Sequence, residues 1–358
     1  MNPPILQRLR PFGVRSLVAA SVLAASAALA GEPEHGVLVL TSTNDPGSNS
    51  VVVFKLETGS AVSLSWRNTL PTGGAGGASS NAGILQFRQD RGAVANFGSN
   101  TITELVREDD DIRIGNTIKQ ASGCVKPDSV ALTREHLFVV GQNCAESHNW
   151  PSGTIDGTVV HLTDPSAAQI AVSNRWSAVT MTSGSVVQLP LTRAGTLSGA
   201  VVPVVLPVEA NNTPLGEAFW GDVLGFTPAH SPDSFALVNE DRTVFPITGP
   251  TPPYPSNAPC WVAKGPGNLW YTGNSPGQAI SIFFSDGKGG VFYKSLPLPG
   301  APTDITVSHD GKWLAVIYSA SGDAHVAVYS IDARGDLTPA ATSPSVGVAG
   351  FSGVAISD

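Results

Sequence analysis

The stretch PTDITVSHDGKWLAVIY, Pro302–Tyr318, decides how the rest of the chain is read. Ile305 and Val307 alternate with polar residues, His309-Asp310-Gly311 supplies a tight turn, and Trp313 to Tyr318 returns as a second apolar strand. After a polar loop, Ala324 to Ile331 forms a third strand, and Asp332 to Pro339 turns toward a weak fourth. This is one small antiparallel sheet written in consecutive sequence.

The same order recurs upstream. PCWVA at Pro259 is followed by LWYT at Leu269 and AISIFF at Ala279, and PDSVAL at Pro127 by LFVV at Leu137. NAGILQF at Asn81 leads to AVANF and TITEL, and weaker copies begin near Ala168 and near Val223. The units start at about 81, 127, 168, 221, 259 and 302, a spacing of 38 to 53 residues. Short strands repeating every ~40–50 residues predict a β-propeller. One more unit, VLVLT at Val37 and VVVFKL at Val51, lacks an opening strand, and FSGVAIS at Phe351 has the missing pattern. The expectation is an all-β, seven-bladed propeller forming a single domain over residues 31–358. The C-terminal strand joins the first blade, which closes the ring and removes exposed sheet edges.

Composition agrees. Only 13% of the 358 residues are charged, while 38 Gly and 28 Pro punctuate a chain that is 42% apolar. Helical bundles need charged solvent faces and few breakers, and disordered chains lack this much apolar content. Residues 1–30 contain Arg8, Arg10 and Arg15 and no acid, then an apolar run from Ser16 ending Ala28-Leu29-Ala30. That pattern is a secretory leader with a cleavage site. Its apolar run is shorter than the ~20 residues that span a bilayer. Cleavage removes three of the twenty bases and no acid, leaving 17 against 28 and a net charge of −11. An acidic chain without a basic run argues against nucleic acid as a partner. A soluble monomer in the periplasm or outside the cell is expected, with no membrane insertion after cleavage and no cofactor.

At Pro302–Tyr318, and again at VAVYSID (Val326–Asp332) with DLTP (Asp336–Pro339), the chain resembles the lactonase-type seven-bladed propellers, which include 6-phosphogluconolactonase and carboxymuconate cyclase. The likeness is close over the last two blades and architectural elsewhere. It implies the propeller fold and chemistry on a lactone ring.

In such a ring the blade-to-blade loops and the second-to-third-strand loops share one face, where ligands gather around the channel mouth. Cys124 and Cys144 enclose 19 residues and fall at neighbouring places on that face, so they are the expected disulfide. Cys260 is read as a buried, inert thiol. The unrepetitive stretch Gln142–Trp150 brings Glu146 and His148, readable as an acid–base pair or as an exposed, solvated loop. The connection Asn211–Asp222 brings Glu217 and Trp220, and Asn239–Arg242 brings Arg242, which would clamp a carboxylate or make a turn salt bridge. Asn257, Asn274, Asp128 and Asp304 complete the rim, the last two lining the channel or binding strand-start amides. The run Gly73-Gly-Ala-Gly-Gly77 lacks the residues of a phosphate loop and is read as a flexible connection. No metal-ligand spacing is recognised. Two functions follow: a lactonase or cyclase for a small carboxylated lactone, with Glu146, His148 and Arg242 catalytic, or a non-enzymatic propeller whose loop face binds a cell-envelope protein.

Overall fold

A computed structural model describes residues 36–79, 81–150, 152–230, 235–249, 258–348 and 350–358. The leader and Asn257 lie outside the described residues. The chain is nearly all β, and its strands form seven antiparallel sheets.

Each sheet is one blade, with its first strand innermost. The inner strands are Ser352–Ser357 in blade 1, then Leu85–Arg88, Pro127–Leu132, Ala167–Val172, Pro214–Trp220, Pro259–Lys264 and Ala301–Val307 in blades 2 to 7. Blade 1 is completed as expected: Ser352–Ser357 pairs antiparallel with Val37–Ser42, so the end of the chain closes the ring.

Apolar residues alternate along the strands, and each set packs on a different neighbouring blade. In blade 3, Leu137 and Val139 join Val94 and Ile102 of blade 2. Phe138 and Val140 join Ile170 and Val179 of blade 4. A period of two with both faces buried is why strands here read as nearly continuous apolar runs.

Five inner strands share an irregularity near their start. The register slips between Pro127 and Ser129, Ala167 and Gln169, Pro214 and Glu217, Pro259 and Trp261, and Pro302 and Asp304. Such bulges bend a strand and re-aim its side chains. They set two layers of residues around the channel. The second residue after each opening position gives a mixed layer: Gly83, Ser129, Gln169, Gly216, Trp261, Asp304 and Gly353. The third gives Ile84, Val130, Ile170, Glu217, Val262, Ile305 and Val354, all buried and all aliphatic but one.

Three expectations need correction. The inner strand of the fifth repeat is Pro214–Trp220, not the strand at Val223, which is second. Glu217 and Trp220 therefore sit on a strand rather than in a connection. Cys144, Glu146 and His148 also belong to a strand, Cys144–Asn149, and are wholly buried instead of lying in a solvated loop. Arg242 lies in the turn from third to outer strand of blade 5, on the face opposite the blade-to-blade loops. It is exposed there with a left-handed φ of 67°.

Candidate functional site

The glycine run is a hydrogen-bonded span, not a free linker. The amide of Gly76 donates to Asp45 O at 2.7 Å, and Gly77 and Ala78 donate to Asn44 Oδ1 at 2.9 and 3.0 Å. The segment then delivers Asn81-Ala82-Gly83 across the channel mouth. Ala82 N donates to Ala168 O of blade 4 at 3.1 Å, and Trp261 Nε1 of blade 6 donates to Asn81 O at 3.2 Å. Asn81 Nδ2 donates to Asp128 O of blade 3 at 2.8 Å. One residue pair touching blades 3, 4 and 6 has to cross the centre, so it plugs the mouth on the loop face.

Beneath this plug lies a cavity of about 220 Å³. Its walls are aliphatic residues of the inner strands, including Val130, Ile170, Val262 and Ile305, and its polar lining is Gln86, Gln169, Glu217, Lys264 and Thr306. Glu217 is 1% exposed. Its amide donates to Gln169 Oε1 at 2.6 Å, whereas neither carboxyl oxygen has a hydrogen-bond partner. Burial pushes the carboxyl well above the usual range; the Ala171 and Thr180 amides pull it down without closing to bonding geometry. At the other end of the cavity Lys264 donates to Gly265 O (2.5 Å) and Gly267 O (2.7 Å) and lies 5.0 Å from the Trp220 ring. Burial lowers the Lys264 ammonium to about 8.

The remaining candidates are spread over the molecule. Glu146 and His148 do come together, with His148 Nε2 3.3 Å from Glu146 Oε1, but on the third strand, two strands out from the channel. Glu146 Oε2 accepts from Ala121 N at 2.8 Å, and His148 Nδ1 meets Gly153 O at 3.0 Å. Burial opposes charge on His148, yet Glu146 and Gly153 outweigh it and raise its pKa. Cys124 and Cys144 are disulfide-bonded with Cα atoms 5.7 Å apart. Asp304 accepts from Ile305 N at 2.9 Å and Val354 N at 3.4 Å, bracing the strand that closes the ring, and burial holds it near 7. Asp128 is likewise raised to about 7, with Oδ1 unpartnered. Asn274 is fully buried, its Nδ2 donating to Ser281 Oγ at 2.7 Å. Cys260 is half-buried rather than fully buried, and desolvation raises its thiol to about 11.

Sequence reading missed the carboxamides of Gln86 and Gln169. Setting PLGEAFW of blade 5 under PTDITVS of blade 7 is the signal that finds the site, because it places Glu217 against Ile305. Among the described residues no group of three His, Cys, Asp or Glu is arranged to hold a metal ion.

No family model and no curated protein matches the chain. Solved structures do. A protein from Lactobacillus plantarum aligns with TM-score 0.65 at 13% identity, over 90% of this chain and 99% of that one. A proposed 6-phosphogluconolactonase from Bacteroides uniformis aligns with TM-score 0.62 at 15% identity, over 90% and 99%. Virginiamycin B lyase from Staphylococcus aureus aligns with TM-score 0.54 at 13% identity, over 79% and 96%. The fold is thus a seven-bladed propeller, shared with these structures. Among the described residues no helix is long and apolar enough to cross a membrane, and the disulfide fits a periplasmic or extracellular protein.

Proposed function

We propose that this is an exported lactonase-type propeller acting on a small carboxylated lactone, with the channel cavity rather than the loop-face rim as its working site. The observation that carries the reading is Glu217: a buried acid with both oxygens unpartnered, facing the cavity where six equivalent positions hold Val or Ile. Buried polar groups without partners are rare and call for an explanation such as a catalytic role. The cavity is below the ~300–1,000 Å³ of drug-sized pockets, which suits a compact ring. The neutral carboxyl is a proton donor for the leaving ring oxygen as water adds to the carbonyl. The resulting carboxylate then recovers the proton that the attacking water loses. Lys264 gives the open end the positive charge that a ligand carboxylate would seek. Arg242, on a surface turn of blade 5, has no place in this site. Export is supported by the leader sequence and the disulfide.

Turnover of γ- and δ-lactones, with and without a carboxylate, tests the reading. Glu217→Gln is expected to lower kcat/KM by about 10²-fold or more. A wild-type protein that opens no lactone ring, or a Glu217→Gln protein with full activity, sinks it. The alternative, a non-enzymatic propeller binding an envelope protein, gains from one observation: Arg242 does not join the Glu146–His148 pair, which itself lies two strands out from the channel.

A further inference from the structure

The plugged end of the cavity carries a second unexplained polarity. Gln169 is 7% exposed, and its Oε1 accepts the Glu217 amide at 2.6 Å. An N–H requires an acceptor, so this contact fixes which end of the carboxamide is oxygen and turns Nε2 the other way. That NH₂ lies beside Gly83, at the turn of the plug into blade 2. A Cβ on Gly83 would stand 3.0 Å from Gln169 Nε2, 3.2 Å from Gln86 Nε2 and 3.0 Å from Ser129 Oγ. Three polar side chains from blades 2, 3 and 4 crowd the Cα of Gly83, whose φ is 67°, and this brings the two Nε2 atoms to the same stretch of the wall of the cavity that both glutamines line. The Ser129 hydroxyl is engaged, facing Gly83 O and Ile170 N at 3.3 Å each. Neither Gln86 nor Gln169 Nε2 donates to a group among the described residues.

We infer that Gln86 and Gln169 form a carbonyl-binding head at the closed end of the channel, both carboxamides donating N–H to one carbonyl oxygen of the ligand. The inference rests on the proposed lactone chemistry for its ligand class; the convergence of donors stands on its own. The ligand this head selects has a neutral carbonyl at one end and an apolar ring between the aliphatic walls. In ring opening, water adds to the carbonyl carbon and the carbonyl electron pair moves onto the oxygen held by the two amides. The pair returns as the ring C–O bond breaks, the ring oxygen takes the Glu217 proton, and the proton from water restores Glu217. One water is consumed and one hydroxy acid is formed.

The head is tested with δ-valerolactone and tetrahydropyran, the same six-membered ring without the carbonyl, using ligand-observed NMR, which reads millimolar affinities. The full-length wild-type protein is expected to bind the lactone at least tenfold more tightly than the ether. Gln86→Leu, which leaves no protein group unpaired, is expected to erase most of that preference while its melting temperature is unchanged. Gln169→Met, which removes the bond to Glu217 N as well, is expected to erase it and to lower the melt. Equal binding of the two rings by wild type, or an undiminished preference in Gln86→Leu, overturns the inference. Glu217→Gln separates the two ideas: lost turnover with the carbonyl preference intact supports the head and the acid alike. Intact turnover with the preference intact removes the acid and keeps the head.

Discussion

Blade 3 buries Glu146 against blade 2, and blade 5 buries Glu217 against blade 4. Both are essentially inaccessible to water, yet their surroundings differ. Glu146 Oε2 accepts a backbone amide at 2.8 Å, its Oε1 lies 3.3 Å from the His148 imidazole as an ion-pair contact outside hydrogen-bond geometry, and that histidine is in turn seated on Gly153 O. Glu217 has no hydrogen-bond partner for its carboxyl and a cavity in front of it. A buried acid with partners holds neighbouring elements together, and taking one partner away costs far more than the pair contributes. A buried acid without partners is a standing cost that folding alone does not recover, and it marks the place where a ligand supplies what the protein omits. The same residue type thus reads as a structural tie in one blade and as the candidate site in the other.

The most severe break in this contrast is on the blade 3 side. His148→Ala leaves Glu146 buried with only the Ala121 amide, and a stability loss of about 3–5 kcal/mol is expected in urea unfolding. A loss of a few tenths would place Glu146 in the same class as Glu217. The opposite sign is expected in blade 5. Glu217→Leu makes the layer wholly aliphatic and should raise stability by about 1–3 kcal/mol while ligand binding is lost. A destabilised Glu217→Leu protein with intact binding would erase the distinction.

The gentlest test is pH. His148 is raised above 6.5, so its tie is fully present below that value and is lost as pH rises through the folded-state pKa. Glu217 is raised well above 4.5, so the neutral form favours folding at acid pH, and that advantage is lost as pH climbs above 4.5. Both trends weaken the fold with rising pH but in different windows. Thermal melts of His148→Ala should flatten above about pH 6.5, and those of Glu217→Gln between about 4.5 and the Glu217 pKa. If both variants keep the wild-type profile, neither buried group controls stability.

The propeller was legible because its evidence is local. Alternation, turn and return lie within Pro302–Tyr318, and the closing strand repeats that pattern. The site was only half legible, for reasons that are not local. In CAESHN, the polar Glu146 and His148 are accommodated on a buried strand because Ala121, in the preceding blade-to-blade loop, and Gly153, just past the strand, supply partners that the hydropathy pattern does not show. In PLGEAFW, Gly216 looks like a breaker, but a Cβ there would stand 2.7 Å from Cys260 O and Trp261 Cα, so blade 6 demands it. Missing that strand had a second effect. Turns of an antiparallel blade alternate between faces, so one uncounted strand moves every later turn of that blade to the wrong side. That is how Arg242 came to be expected on the loop face.

The closing strand also governs how this ring is made. Thr41 Oγ1 donates to Gly353 O across 312 residues, and both lie in blade 1. Blades 2 to 7 each fold from consecutive sequence, with small loop-closure cost, whereas blade 1 waits for the last strand of the chain. Until Ser352–Ser357 arrives, the array is an open arc with Val37–Ser42 unpaired along one edge, a strand that is apolar and well suited to pairing with another molecule. Newly made chains are most exposed to aggregation in that interval, and the speed of a single late β-pairing sets how long it lasts.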